Sequence, residues 1–125
     1  MDEYRERMFT GLWGEIYAAR YLRDNGYKIL SANYRTRFGE IDIVASDDSC
    51  IIFVEVKSRK EGMIAPPAES VIYAKQRRIS AAARQYLDSF PTQLVPRFDI
   101  IEIYMGGDST PNEIKHIKSA FETVR

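Results

Sequence analysis

Cysteine and histidine are almost absent from this 125-residue sequence. Cys50 and His116 are the single residues of their kinds, which excludes an intrachain disulfide, a thiolate zinc cluster and any site that needs several histidines. Any metal ion would therefore be held by oxygen ligands, which favours Mg²⁺ or Mn²⁺.

An excess of one charge and a long apolar run are also missing. The formal net charge at pH 7 is +0, with 18 Lys and Arg against 18 Asp and Glu, which argues against a protein that coats nucleic acid indiscriminately. No apolar run approaches the ~20 residues of a membrane helix, and the first residues are too charged for a signal peptide. We therefore expect a single cytoplasmic domain spanning residues 1–125.

Hydrophobic periodicity and turn residues predict the element order αβββαββ, an α/β fold with a mixed central sheet flanked by helices. One predicted helix covers residues 10–25, and a second runs from the proline pair at 66–67 to near Ser89. The predicted strands cover residues 27–34, 40–45, 50–58, 97–104 and 113–118.

Two acidic motifs lie inside predicted buried strands: Gly39-Glu40-Ile41-Asp42 and Glu55-Val56-Lys57. Ionised carboxylates there cost several kcal/mol unless they are paired, hydrogen-bonded or bound to a metal. A four-residue hairpin loop at 46–49 would pair Asp42 with Phe53. Asp42 and Glu55 would then be diagonal neighbours on one face, with Lys57 on the same side. The predicted opposite face is apolar and comprises Ile41, Ile43, Ile52, Val54 and Val56.

Glu15 is a third candidate acid. Leu12, Ile16, Ala19 and Leu22 recur at helical spacing and predict the buried stripe of the first helix. Glu15 falls within that stripe, which favours a position at the rim of the site. Gly11 and Gly14 would allow this helix to approach the sheet closely.

Four further polar residues stand in apolar surroundings. Lys75 and Gln76 fall on the predicted buried stripe of the second helix, near its start, where such side chains commonly meet an anion or ordered water. We expect Asp99 to be a buried, hydrogen-bonded carboxylate, and we assign His116 a structural role, although nothing nearby suggests a partner. No dense alternation of aromatic and basic residues predicts a base-stacking platform.

An acid on a first helix, Asp at the end of a second strand and Glu-x-Lys on a third resemble the PD-(D/E)xK nuclease superfamily, with its restriction-endonuclease-like αβββαβ core. Over about residues 11–121 the ordered motifs resemble the YraN-like family, which is similar to archaeal Holliday junction resolvases. Ile41 replaces the proline of the superfamily's name, which is not a ligand. The motifs are Gly11-x-x-Gly14-Glu15, Gly39-Glu40-Ile41-Asp42, Phe53-Val54-Glu55-Val56-Lys57, Lys75-Gln76 and Arg97-Phe98-Asp99.

The resemblance implies roles for five of these residues. Asp42 and Glu55 would bind Mg²⁺ or Mn²⁺, and Lys57 would orient the attacking water. Glu15 would assist the metal through water, and Gln76 would lie at the edge of the site. The predicted nucleic-acid contacts are the basic residues around the motifs: Arg35, Arg37, Arg59 and Lys75.

The sequence therefore predicts a metal-dependent endonuclease that hydrolyses phosphodiester bonds of nucleic acid, with DNA, branched DNA included, as the expected substrate. A junction-cutting enzyme needs two sites, which favours a homodimer. Two alternatives stay open: a nucleic-acid-binding module without catalysis, and a protein-interaction adaptor that uses the hydrophobic stretch from Met8-Phe9 to Trp13.

Overall fold

The computed structural model describes residues 3–60, 73–108 and 110–122, with side chains described at 11–59, 73–108 and 110–122. The predicted start of the second helix and the Met8-Phe9 side chains lie outside the described residues. The predicted element order is confirmed, and the last strand is longer than predicted. The elements are α1 Glu3–Asp24, β1 Lys28–Arg35, β2 Glu40–Ser46, β3 Cys50–Lys60, α2 Tyr73–Ser89, β4 Val95–Met105 and β5 Pro111–Phe121.

The strands form one mixed sheet in the order β1-β2-β3-β4-β5. Only β3 and β4 pair in parallel, through the crossover that contains α2, and the other neighbours are antiparallel. This mixed α/β architecture is compatible with the predicted restriction-endonuclease-like core. Among the described residues, neither helix is long and apolar enough to cross a membrane.

Each helix covers one face of the sheet. On the α1 face, Ala18 and Leu22 are fully buried against alternate residues of the strands, such as Ile52. On the α2 face, Ile79 and Tyr86 pack against the other set, such as Phe53. The apolar spacing of the second helix predicts a buried stripe at Ile72, Ile79, Ala82, Ala83, Tyr86 and Leu87. It is confirmed at Ile79, Ala82, Ala83 and Tyr86, Leu87 is half-buried, and Ile72 lies outside the described residues.

The buried stripe predicted for α1 is confirmed at Leu22 and in part at Ala19, but it is wrong at Leu12 and Ile16. Leu12 is 56% exposed and Ile16 is 41% exposed, while Gly14, Ala18 and Leu22 face the sheet. Gly14 explains the rotation, because a Cβ there would overlap the hydroxyl of Ser58 on β3, and glycine allows the close approach without moving that side chain. The helix also begins at Glu3 and not near residue 10, since the charged N-terminal residues are good helix formers.

The predicted β2–β3 register is wrong by two residues. Val44, and not Asp42, pairs with Phe53. The turn is tighter because Asp47 Oδ1 accepts hydrogen bonds from the amides of Ser49 and Cys50, at 2.9 and 2.8 Å, and Asp47 N donates to the Cys50 carbonyl. A shift of two residues leaves Val44, Ile51 and Phe53 together on one face and Ile43, Ile52 and Val54 together on the other, as predicted.

Ile41 was predicted to share a face of the sheet with Ile43, and this prediction is wrong. Ile41 belongs to the core under α2, whereas Ile43 belongs to the core under α1. Their β1 partners, Tyr34 and Ala32, flank Asn33, whose φ of 54° is left-handed. Asparagine tolerates this conformation, and the paired strands change face at this point.

The buried Asp99 is confirmed as a hydrogen-bonded carboxylate. It is 0% exposed and accepts two hydrogen bonds from Arg97, at 2.9 and 2.8 Å, and one from the Ser119 amide. His116 Nε2 lies 2.7 Å from Asp99 Oδ2, and its Nδ1 lies 3.2 Å from the Tyr21 hydroxyl. These contacts fit the structural role predicted for His116, although its partners were not evident from the sequence. Burial raises the pKa of Asp99, but these hydrogen bonds outweigh it and hold the pKa below its ordinary value.

We expect Asp99→Ala to lower the free energy of unfolding by about 3–5 kcal/mol, because it leaves Arg97 without its charge partner in a largely buried position. Urea denaturation at neutral pH measures the loss, and Asp24→Ala, at an exposed carboxylate of α1, is the control. Equal stability of the two variants would contradict a structural role for Asp99.

Candidate active site

The strands β2 and β3 separate after the pair Ile43–Val54, and we call this point the fork. Beyond it, the Val56 amide donates to Oδ2 of Asp42 at 2.8 Å instead of to a backbone carbonyl. The Asp42 carboxylate thus replaces a backbone carbonyl of β2 as the acceptor of one hydrogen bond between the strands. This hydrogen bond holds a half-buried acid at the fork.

Glu55 faces Asp42 across the fork. The register continued by one residue from Ile43–Val54 sets the two residues opposite each other. The Glu55 side chain is 7% exposed and forms an ion pair with Lys75 Nζ of α2. A cavity of about 230 Å³ opens here, which we call the active cavity. Its lining residues are Gly39, Glu40, Asp42, Glu55, Lys75, Arg78 and Ile79.

Asp42 is electrostatically crowded. Burial and the negative charge of Glu55 raise the pKa of Asp42 from 3.8 to about 7, and Glu15 adds to the rise. The Val56 hydrogen bond and the charge of Lys75 act in the opposite direction without cancelling it. The ionised form of Asp42 is therefore costly in the metal-free protein, and a cation bound beside it would lower that cost.

Glu15 lies near the same cluster, on α1. Burial and the charges of Glu40 and Glu55 raise the pKa of Glu15, while a hydrogen bond with Asn33 lowers it. The close contact of Gly14 with β3 brings this part of α1 to the sheet. The structure thus places Glu15 within electrostatic reach of Asp42 and Glu55, and its assistance to a metal stays a prediction.

The two lysines are placed differently. Lys57 follows Glu55 by two residues on the same side of β3, is half-buried and pairs in register with Glu102 of β4. It is not among the residues that line the active cavity, whereas Lys75 is. The orienting role of Lys57 stays a prediction, and Lys75 is a second lysine that meets the acidic pair.

The other predicted residues lie around the active cavity. Gln76 is half-buried next to Lys75 and outside the lining. Arg35 is 77% exposed, with its Nε 3.4 Å from Glu40, and Arg37 lies at the adjacent turn. Arg59 is 11% exposed, and its Nε lies 3.0 Å from the buried Glu102. Arg35 and Arg37 are thus accessible to a ligand, Arg59 is anchored to the sheet, and their contacts with nucleic acid stay predictions.

No role at the site was predicted for Asn33 or Arg78, and Gly39 and Glu40 were named only as parts of a motif. Arg78 follows Lys75 by three residues, so helical spacing alone would place both on one side of α2. Gly39 lies against α2, since a Cβ there would be 2.9 Å from Cβ of Arg78. Asn33 gave a weaker signal, as an amide side chain inside a predicted strand.

The donor set of the active cavity fits a hard divalent cation. Mg²⁺ is commonly held by one or two carboxylates, with water and substrate phosphate oxygens completing its shell, and Asp42 and Glu55 provide such a pair. Within residues 11–59, 73–108 and 110–122, no group of three or more His, Cys, Asp and Glu side chains is placed to hold a metal ion. The remaining ligands would therefore come from water and substrate.

The chain matches known proteins over most of its length. Residues 14–103 match the model of the uncharacterised protein family UPF0102. A UPF0102 protein of Syntrophotalea carbinolica is 46% identical over 118 residues, which cover 94% of each chain. One from Caldicellulosiruptor bescii is 42% identical over 114 residues, 90% of this chain and 96% of that protein. One from Rhodococcus jostii is 41% identical, covering 89% of this chain and 94% of that protein.

We expect Asp42→Asn to stabilise the metal-free protein above pH 7. The unfolded pKa of Asp42 is near 4 and the folded pKa is about 7, so the folded state binds more protons and the wild type loses stability as pH rises between these values. Relative to the wild type, the free energy of unfolding of the variant should be higher by on the order of 2–4 kcal/mol at pH 8 and nearly unchanged at pH 4. Urea denaturation in EDTA across this range measures the difference.

The control is Glu40→Gln, which changes an exposed acid of the same cavity. Its free energy of unfolding should rise much less with pH relative to the wild type. A constant difference between Asp42→Asn and wild type at all pH values would contradict the crowding of Asp42.

Proposed function

We propose that this chain, which belongs to the uncharacterised protein family UPF0102, hydrolyses phosphodiester bonds of nucleic acid with the help of a divalent metal ion. Membership confirms the YraN-like resemblance at the level of the family. The description of the family assigns no reaction to it. Membership of the PD-(D/E)xK nuclease superfamily is therefore part of the proposal. The observation that carries the proposal is the meeting of Asp42 and Glu55 in one cavity with two basic side chains, Lys75 and Arg78.

The acidic pair would hold Mg²⁺ or Mn²⁺. When bound, such an ion lowers the pKa of water and offsets the charge that develops on a phosphoryl group. The Val56 amide holds the Asp42 carboxylate in place, and the sheet holds Glu55, so both ligands are oriented before the ion arrives. Relief of the repulsion between Asp42 and Glu55 favours binding of the ion.

The basic side chains would bind the phosphate. Arg78 lies on the wall of the active cavity opposite β2 and β3, where its guanidinium can donate to non-bridging phosphate oxygens. Lys75 neutralises Glu55 in the metal-free protein, and a metal ion in that position would release its ammonium group for the phosphate. Lys57 would orient the attacking water, as the resemblance implies.

DNA is the proposed substrate, and endonuclease action on branched DNA by a homodimer is the finer form of the proposal. The resemblance to junction resolvases supports this form, and so do the exposed arginines of the β1–β2 turn next to the active cavity. A cytoplasmic location belongs to the same proposal.

We expect metal-dependent cleavage that depends on both carboxylates. Supercoiled, linear, single-stranded and four-way-junction DNA would be incubated with Mg²⁺ or Mn²⁺ and, in parallel, with EDTA. Asp42→Asn and Glu55→Gln should each lower the rate at least about 100-fold, because each removes a metal ligand. The control is Glu113→Gln, an exposed carboxylate of β5, which should cut at the wild-type rate.

The outcomes separate the rival functions. DNA binding without cutting in any metal would indicate a binding module, and absence of both binding and cutting would support the adaptor. Cutting that survives Asp42→Asn would contradict the site proposed here.

The same cleavage assay distinguishes the roles of Lys57 and Lys75. If Lys57 orients the water, Lys57→Ala should reduce the maximal rate at saturating DNA by about 100-fold. Lys75→Ala should act mainly on the concentration of metal or DNA needed for half-maximal rate, because Lys75 neutralises Glu55 and then meets the phosphate. A reversed pattern would assign the reaction to Lys75.

We expect Mg²⁺ to raise the thermal midpoint of the wild type at pH 8, because only the folded state brings Asp42 and Glu55 together. A rise on the order of 5 °C corresponds to a concentration well above the dissociation constant. Asp42→Asn should lose most of this rise and Glu113→Gln should keep it, both measured by differential scanning calorimetry. An equal rise in all three proteins would indicate metal binding elsewhere.

A further inference from the structure

We propose that a groove beside the active cavity binds an unpaired nucleotide of the substrate, with its base stacked on Phe38 and its phosphate between Arg77 and Arg78. This inference rests on the proposed function and narrows the substrate class to nucleic acid with an unpaired nucleotide next to the cleaved bond. The groove has a volume of about 370 Å³, within the range of small-molecule sites. Its lining residues are Phe38, Ala74, Arg77, Arg78 and Ala81.

The shape of the groove suits a flat ring. Phe38 forms one side from the β1–β2 turn, and its side chain is 45% exposed. The alanines at positions 74 and 81 contribute only methyl groups from α2, which leaves space beside the phenyl ring. A nucleobase that stacks on a phenyl ring fills a space of this kind.

The turn that carries Phe38 is held in place before any ligand arrives. Thr36 Oγ1 accepts hydrogen bonds from the amides of Phe38 and Gly39, at 3.0 and 3.2 Å, and Thr36 N donates to the Gly39 carbonyl at 2.8 Å. Gly39 in turn lies against the backbone of Arg78. The backbone that carries the ring is therefore ordered before a base binds, which lowers the entropic cost of binding.

The charge of the groove suits the phosphate of a nucleotide. Arg77 and Arg78 are both exposed, and no acid is among the lining residues that the structure describes. Arg37 adds a third cation, with its guanidinium 4.8 Å from the centre of the Phe38 ring. Aromatic rings combined with arginine are typical of sites for unpaired bases, since a base inside a duplex already has both faces covered.

Arg78 connects the groove with the active cavity, because it lines both. A phosphate held in the active cavity and a base held on Phe38 would then belong to neighbouring nucleotides of one strand. A continuous duplex cannot offer such a base unless the base leaves the stack, at a cost of a few kcal/mol. A single-stranded extension or a branch point offers it without that cost.

The test compares two DNA duplexes that differ only in a short single-stranded extension, which carries bases in one and abasic residues in the other. Binding is measured by fluorescence anisotropy in EDTA, so that no cutting occurs. The wild type should bind the extension with bases about 10-fold more tightly than the abasic one. Phe38→Ala should abolish this preference and Phe38→Trp should keep it. The control is Phe90→Ala, an exposed aromatic residue just beyond the C-terminal end of α2, which should bind as the wild type does.

The proposal is overturned if the wild type shows no preference, or if Phe38→Ala keeps it. Equal weakening for both extensions in Phe38→Ala would also overturn it, because Phe38 would then contact DNA without reading a base. Cutting in Mg²⁺ is measured separately on the same DNA. A base preference without cutting would leave this inference standing while the proposed nuclease function fails, and cutting without the preference would do the reverse.

Discussion

The hydrogen bond from the Val56 amide to the Asp42 carboxylate is the constraint on which the site depends. It is made where β2 and β3 separate, so that a side chain and not the next strand satisfies a part-buried backbone amide. The same bond holds Asp42 opposite Glu55, where burial and like charge keep the pKa of Asp42 near 7. The arrangement therefore destabilises the ionised form of Asp42 at the fork, and a bound cation would reverse this effect.

The two helices bring further charged side chains to the fork. From one face, the glycine contact of α1 brings Glu15 towards the acidic pair and adds to its negative potential. From the other face, α2 provides Lys75 and Arg78, the positive charges of the active cavity. Opposite charges therefore reach the fork from opposite layers of the fold, and the proposed metal and phosphate contacts would need both layers.

The element order and the mixed sheet were predictable from hydrophobic periodicity and turn residues. The meeting of Asp42 with Glu55 was predictable because alternation along β2 and β3 sets both side chains on one face. The register was not predictable, since it depends on two hydrogen bonds of the Asp47 side chain in the turn. The face of Ile41 depends on the left-handed φ of Asn33, which sequence spacing does not reveal. The buried side of α1 was mistaken because a glycine contact with β3 outweighed the apolar residue Leu12.

The order in which these pieces come together along the chain has a kinetic consequence. Asp42 and Glu55 lie in one hairpin, whereas β3 and β4 pair only after the chain has passed through α2. Local hairpins close faster than long-range parallel ladders, so a nascent chain gathers its two acids before Lys75 can dock. Self-repulsion would accordingly make hairpin closure the refolding step that responds most to protons and divalent ions in the medium.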